Sequence, residues 1–262
     1  MKTSRRGFVT LAAACSLVLA GCTGGSDEGN GRSGFESGGV FEVIRARSTM
    51  ASRVDALYAS VPEAMPQVRY LVSGSEPVSV ADAYVVGDLV SVDSGRTFQW
   101  TTDPVTGEET RREVPFNTEV PSAETSQAST VHLTLEIERS IVSPDEPESV
   151  HDALKPGNTV RLGLTLGAQV DLDAVQAELG AVGSFAALLY RPSAVFDYDK
   201  DLWAILEDGG FLGTISGEGT QVVFPALEGD GDRQASFTVE ELERPRDEPI
   251  RVKDDAVDGG QG

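Results

Sequence analysis

The sequence predicts a mainly β protein, an antiparallel barrel or sandwich with one or two short helices. Three observations predict it. Short segments that are β-branched or strictly alternating recur along the chain. Turn signals containing Gly, Pro or Asn separate them at close intervals. The βαβ alternation that a covered parallel sheet requires is missing.

The elements follow in chain order. Ala46 to Val61 is the clearest helix: Met50, Val54, Leu57, Tyr58 and Val61 fall on one apolar stripe, Ser48 serves as N-cap and Pro62 ends the run. Strands are expected at Gln67–Ser73, Ala83–Val92 and Thr97–Thr101, the last leading into a long hairpin over Thr101–Pro115. Glu124–Ser129 and Ser143–Glu148 read as polar loops. Between them, Val131, Leu133, Leu135 and Ile137 alternate with His132, Thr134, Glu136 and Glu138, giving a strand over Val131–Ile141 with one buried and one wet face.

Lys155-Pro156-Gly157-Asn158 is a turn signal before a strand at Thr159–Leu166. Asp171 caps a second helix, with Leu172, Val175 and Leu179 inward and Gly180 closing it. Phe185–Tyr190, Trp203–Leu206, Phe211–Ile215 and Gln221–Phe224 read as strands, with Asp208-Gly209-Gly210 and Ser216-Gly217-Glu218-Gly219 as hairpin turns. Phe237–Arg244 is a last strand or a short helix starting at Thr238, and its VEELE run favours helix.

The amino terminus carries an address. Lys2, Arg5 and Arg6 precede an apolar run from Phe8 to Ala20 broken only by Thr10 and Ser16. A charged segment followed by a short apolar one is a signal-peptide pattern, and the run is too short for a membrane span of about 20 residues. Ser4-Arg5-Arg6-Gly7-Phe8-Val9 resembles the twin-arginine export signal, with Val9 and Thr10 where that pattern has Leu and Lys. The general secretory route is the other option. Leu19-Ala20-Gly21-Cys22 resembles the bacterial lipobox. That resemblance implies a diacylglyceryl group on the Cys22 thiol and cleavage that leaves Cys22 as the new N-terminus.

The domain plan that results is a signal peptide over 1–21, a lipidated Cys22 with a Gly/Ser-rich tether over 22–40, a single β-rich domain over 41–253 and a disordered tail over 254–262. Thr23–Gly39 is too polar and Gly-rich to order itself, and as a flexible coil it spans about 20–25 Å.

Composition excludes whole classes. Of 262 residues, 42 are acidic and 21 basic, for a net charge of −21. Loss of the three leader cations takes this to −24. Such a chain is no nucleic-acid binder, because phosphate contacts need a basic face. Two Cys and two His exclude a disulfide-rich scaffold, an all-cysteine zinc site and a His-rich metal centre.

Ala81–Val92, then Val131–Ser140 and Leu154–Val160, resemble the first strands and turn of secreted OB-like barrels of the netrin-like kind, without their cysteines. The resemblance implies an OB-like barrel and carries over no site residue.

No nucleophile elbow, zinc-protease motif or phosphate-binding loop is present. Gly29-Asn30-Gly31-Arg32-Ser33-Gly34 matches a dinucleotide fingerprint by letter, but it lies in the tether. His132, on the polar face of its strand, and His151, in a loop, read as exposed imidazoles. Asp197, Asp199 and Asp201 with Asp208 have the oxygen spacing of a Ca²⁺ loop, against which stand Leu202 at the turn position and the charge of Lys200. Phe98 and Trp100 share one strand face, and Tyr190, Phe196, Tyr198 and Trp203 cluster in sequence. Exposed, these aromatics suit peptide or carbohydrate binding; buried, they are core.

The expectation is a lipoprotein on the extracytoplasmic face of the cell membrane, held there by its lipid. It would act as a binding or accessory module for a protein or cell-envelope partner. The alternatives are an exported hydrolase using paired carboxylates and a Ca²⁺-binding surface domain. A solute-binding lipoprotein is disfavoured, since it needs two α/β lobes.

Overall fold

The structure, a computed structural model, describes residues 39–51, 60–71, 76–119, 125–191, 201–216, 218–228, 234–245 and 249–251. The chain divides into two units, Met1–Arg32 and Ser33–Gly262, and every described residue belongs to the second. Arg5, Arg6, Phe8, Leu19, Ala20, Gly21 and Cys22 thus lie outside the described residues. Most of the tether, the tail, Asp197 and Asp199 do as well.

The described chain is mainly β. Helices α1 (Val40–Ala51) and α2 (Val61–Ala64) come first. Short strands β1 (Arg69–Leu71) and β2 (Val78–Ser79) follow, then the long β3 (Ala83–Thr102), β4 (Glu109–Val114) and β5 (Thr125–Val142). After these come α3 (Glu148–Ala153), β6 (Thr159–Thr165), α4 (Leu172–Val182), β7 (Ser184–Tyr190) and β8 (Leu202–Ile205). The last elements are β9 (Leu212–Ser216), β10 (Gln221–Val223), β11 (Ser236–Thr238), α5 (Val239–Glu243) and β12 (Ile250–Arg251).

Nine strands form one sheet in the order β11-β10-β9-β7-β8-β6-β5-β3-β4, and β7 also pairs with β3. That extra pairing closes β3-β5-β6-β8-β7 into a five-stranded ring. All its contacts are antiparallel except β6–β8, which is parallel. This strand order, with α4 between the third and fourth ring strands, is that of an OB-like barrel. The closure is narrow: β8 meets β7 only at Leu189–Ile205 and Tyr190–Ala204.

The interior is apolar. Val85, Leu133, Leu135, Leu162, Leu164, Phe185 and Leu189 are fully buried. Every interior residue of β7 is buried, because β7 is flanked on both edges and covered on both faces. A smaller sheet, β12-β1-β2, stands apart.

Several elements depart from expectation for identifiable reasons. Helix α1 starts at Val40, not Ala46, because Val40 and Ile44, one turn apart, are both fully buried. Glu178 on α4 also accepts the Val40 N–H at 2.8 Å. The rest of the predicted stripe, Val54, Leu57 and Tyr58, lies outside the described residues. Pro62 opens α2 instead of ending a helix; in a first turn its missing N–H costs nothing. Asp171 does cap α4, accepting the Ala174 N–H at 3.1 Å, but the helix runs through Gly180 to Gly183, whose φ of 80° ends it.

The two strands expected at Ala83–Val92 and Thr97–Thr101 are one strand with register shifts after Val86, Leu89 and Ser94. β5 starts at Thr125, inside the segment expected as loop. Asp208-Gly209-Gly210 is no hairpin. β8 and β9 run in the same direction along one edge of β7, and residues 207–210 loop out between them. Around that excursion Leu206 N–H donates to Leu188 O, and Leu188 N–H donates to Phe211 O. Phe237–Arg244 supplies both a strand and a helix, joined by a capping box between Thr238 and Glu241.

Candidate functional site

Past the ring, β3, β4 and the start of β5 continue as a three-stranded arm. β3 pairs with β4 over Thr97–Thr102 and with β5 at Thr97–Ser129 through Thr101–Thr125. A strand has two faces, and the composition of these two is inverted relative to an ordinary core. Thr97 and Gln99, both 0% exposed, point inward, and the aromatics that alternate with them, Phe98 and Trp100, lie half-buried on the outer face.

A hydrogen-bond network holds the inner face. Thr97 and Ser129 share a hydroxyl bond of 2.7 Å, and Asn117 N–H donates to Thr97 Oγ1 at 3.1 Å. Gln99 donates to Gln127 Oε1 at 2.7 Å and accepts from Arg112 Nε and Nη2 at 2.9 and 2.7 Å. Gln127 in turn donates to the Thr118 and Ala168 carbonyls, while Asn117 exchanges two bonds with Val170. The arm is therefore bolted to residues 115–119 and to the segment leading into α4. At its tip the Asp103 carboxylate accepts the N–H groups of Thr106 and Val105, which hold its pKa below the usual carboxylate value and fix the turn.

Gln99→Leu removes the hub of this network, taking from Arg112 its acceptor and from Gln127 Oε1 its donor. The arm should lose about 2 kcal/mol of local stability. Hydrogen exchange would read this as faster exchange over Glu109–Val114 with the ring strands unchanged. Unchanged protection of the arm would show that the network does not hold it.

The outer face is the candidate binding surface. The Phe98 and Trp100 rings lie 6.2 Å apart at 47°, and the Arg111 guanidinium sits 4.9 Å from the Phe98 centroid. Arg96 and Glu113 form an ion pair at 2.7 Å along its margin. Apolar planes beside both signs of charge can stack a ring or a peptide plane and orient its polar edge. The other aromatics divide: Trp203 is buried under the Arg191 guanidinium, Tyr190 is half-buried, and Phe196 and Tyr198 lie outside the described residues.

Two further polar clusters exist. The Tyr84 hydroxyl is buried with no hydrogen-bond partner among the described residues, beside the Arg139–Glu243 ion pair at 3.7 Å. Burial first, then the Glu243 charge, pushes its pKa well above the ordinary phenol value. Elsewhere, Asp82 accepts the Arg191 N–H at 2.7 Å, and the Arg191 side chain pairs with Glu146. Burial raises the Asp82 pKa, with the Arg191 N–H working against it.

His132 is not the exposed imidazole the alternation implied. It is only 7% exposed and meets Arg161 at 3.0 Å, because β6 and the bend of β3 at Gly95 cover the face that the pattern left wet. His151 lies on α3 and is half-buried.

Of the Ca²⁺ candidates, Asp201 is exposed ahead of β8 and Asp208 faces Arg47 at 3.9 Å in the excursion after it. Among the described residues no three His, Cys, Asp or Glu side chains gather as a metal site. Among them too, no helix is long and apolar enough to cross a membrane. No family model, curated protein or solved structure matches the chain.

Proposed function

We propose that this chain is a lipid-anchored extracytoplasmic lipoprotein. It acts as a binding or accessory module for a protein or cell-envelope partner, through the outer face of the β3–β4–β5 arm. The observation that carries the reading is the inversion of the arm: polar side chains fill its fully buried face, and Phe98 and Trp100 lie on the other face, half-buried beside Arg111. Burying aromatic area is among the largest apolar gains available to a fold, so the part of these rings that a rigid arm leaves uncovered suits recognition. Cys22 and the pattern before it support the anchor and the export route.

The test is site-specific crosslinking in the producing cell. A photoreactive residue at Thr102, at the end of the aromatic face, should capture one defined envelope component. Trp100→Ala should reduce that capture about tenfold, as expected for an aromatic anchor worth over 1 kcal/mol. A probe at Val78, exposed on the small sheet, should not capture it. Equal capture from both probes, or capture indifferent to Trp100→Ala, would overturn the reading.

A further inference from the structure

The arm ends in an open edge. β4 is the last strand of the nine-stranded sheet, Glu109 to Glu113 are all exposed, and among the described residues only β3 pairs with it. An open edge presents a row of backbone donors and acceptors ready for another strand. Which strand fits is written in the side chains. Residues 108 to 112 read Glu-Glu-Thr-Arg-Arg, a run whose charges invert about Thr110.

We propose that β4 pairs antiparallel with β4 of a second copy of this chain, with Thr110 opposite Thr110 of that copy. A twofold axis perpendicular to the sheet then sets Glu109 opposite Arg111 and Glu108 opposite Arg112, each pair occurring twice. Directly opposed residues share a face, and opposed unlike charges and paired threonines stabilise an antiparallel ladder. The neighbouring registers are penalised: a shift either way opposes Glu109 to Glu109 or Arg111 to Arg111. The next opposes Glu108 to Glu108 or Arg112 to Arg112. Charge therefore selects both the partner and the register.

The arm is built for this role. Arg112 is held on the inner face by its two bonds to Gln99 of β3, and Asp103 fixes the turn that sets Glu108 immediately ahead of the strand. Glu109 and Arg111 stand on the Phe98–Trp100 face, since Trp100 is opposite Arg111 and Thr102 opposite Glu109. The same twofold axis sets the aromatic faces of both copies on one side of a continuous six-stranded ribbon. The pairing stands independently of what that face binds.

A ribbon contact is small, so the association belongs to the weak, transient class. The experiment uses the purified full chain with Cys15→Ser and Cys22→Ser, in about 0.15 M salt. In that background Thr110→Cys should form a disulfide-linked dimer under mild oxidation, because opposed residues lie within disulfide reach. Glu113→Cys should not, since its two copies stand about 20 Å apart along the ladder. Adding Arg111→Glu to Thr110→Cys should cut the crosslinked fraction about tenfold, and adding Glu109→Arg as well should restore it. Crosslinking through Glu113→Cys as efficient as through Thr110→Cys, no crosslink above that control, or a charge swap that fails to restore pairing would each overturn the proposal.

Discussion

Cys22→Ser is expected to move the protein from the membrane fraction to the soluble fraction, with loss of fatty-acid incorporation. The physical case rests on opposing terms. Each buried methylene contributes about 0.8 kcal/mol, and two acyl chains are needed for stable residence on a bilayer. The chain itself works the other way. With 42 acidic residues against 21 basic, it is repelled by anionic headgroups, so electrostatics does not replace the lipid. Cys15→Ser is the matched control and should leave fractionation unchanged, because Cys15 belongs to the expected signal peptide. Replacing Arg5 and Arg6 together by Lys tests the route, and export should fail if the twin-arginine pathway is used. A Cys22→Ser variant that stayed on the membrane and still carried fatty acid would refute the lipoprotein reading.

The second large effect is at the seam of the barrel. Gly87 is the one point where β3 changes register against β5 while also paired to Phe185 of β7. A Cβ there would fall on the Glu136 carbonyl, 3.0 Å from its carbon and closer to its oxygen. The obstacle is backbone, held in a ladder on both sides, and it cannot rotate away. Gly87→Ala should therefore cost about 3 kcal/mol. For a domain of this size that lowers the melting temperature by about 6–12 °C. Gly180→Ala is the contrast. Gly180 sits inside α4 with nothing within 4 Å of an added Cβ, so Ala should stabilise by up to about 1 kcal/mol. Two calorimetric melts decide it, and equal shifts for the two variants would show that the seam is not closed as described.

The contrast between these glycines explains how much of the fold was legible in the sequence. Alternation at Val131–Ile137 and the turn at Lys155–Asn158 are local signals, and both reappear in β5 and before β6. Asp171 announces its helix because an N-cap acts over three residues. What failed were inferences about what lies opposite. Gly180 looked like a stop, and Asp208-Gly209-Gly210 looked like a hairpin, because both carry the right letters. The stop came at Gly183, and the chain at 207–210 kept its direction because β7 offers one continuous edge to β8 and β9.

The candidate site divides in the same way. That Phe98 and Trp100 share a face follows from the strand period alone. That this face is the outer one does not, since ordinary burial statistics assign aromatics to the core and Gln99 to water. The assignment is reversed by Arg112 and Gln127, which satisfy the buried Gln99 amide, and by Asn117, which donates to the buried Thr97 hydroxyl; all three come from other strands and loops. His132 is buried for a related reason: β6 pairs beside it and Arg161 meets its ring. Pairing of that kind joins residues tens of positions apart and leaves no local mark.

By itself, then, the sequence determined the class of the fold and most of its strands, and it carries the Leu19–Cys22 pattern on which the proposed anchor rests. These depend on periodicity, composition and short motifs, each read within a few neighbouring residues. Only the tertiary structure decided that the strands close into a ring, which face of the arm is dry, and that the charged run at Glu108–Arg112 lies along an open edge. Each of those is set by long-range pairing, where the free energy of burial depends on which distant residue supplies the partner.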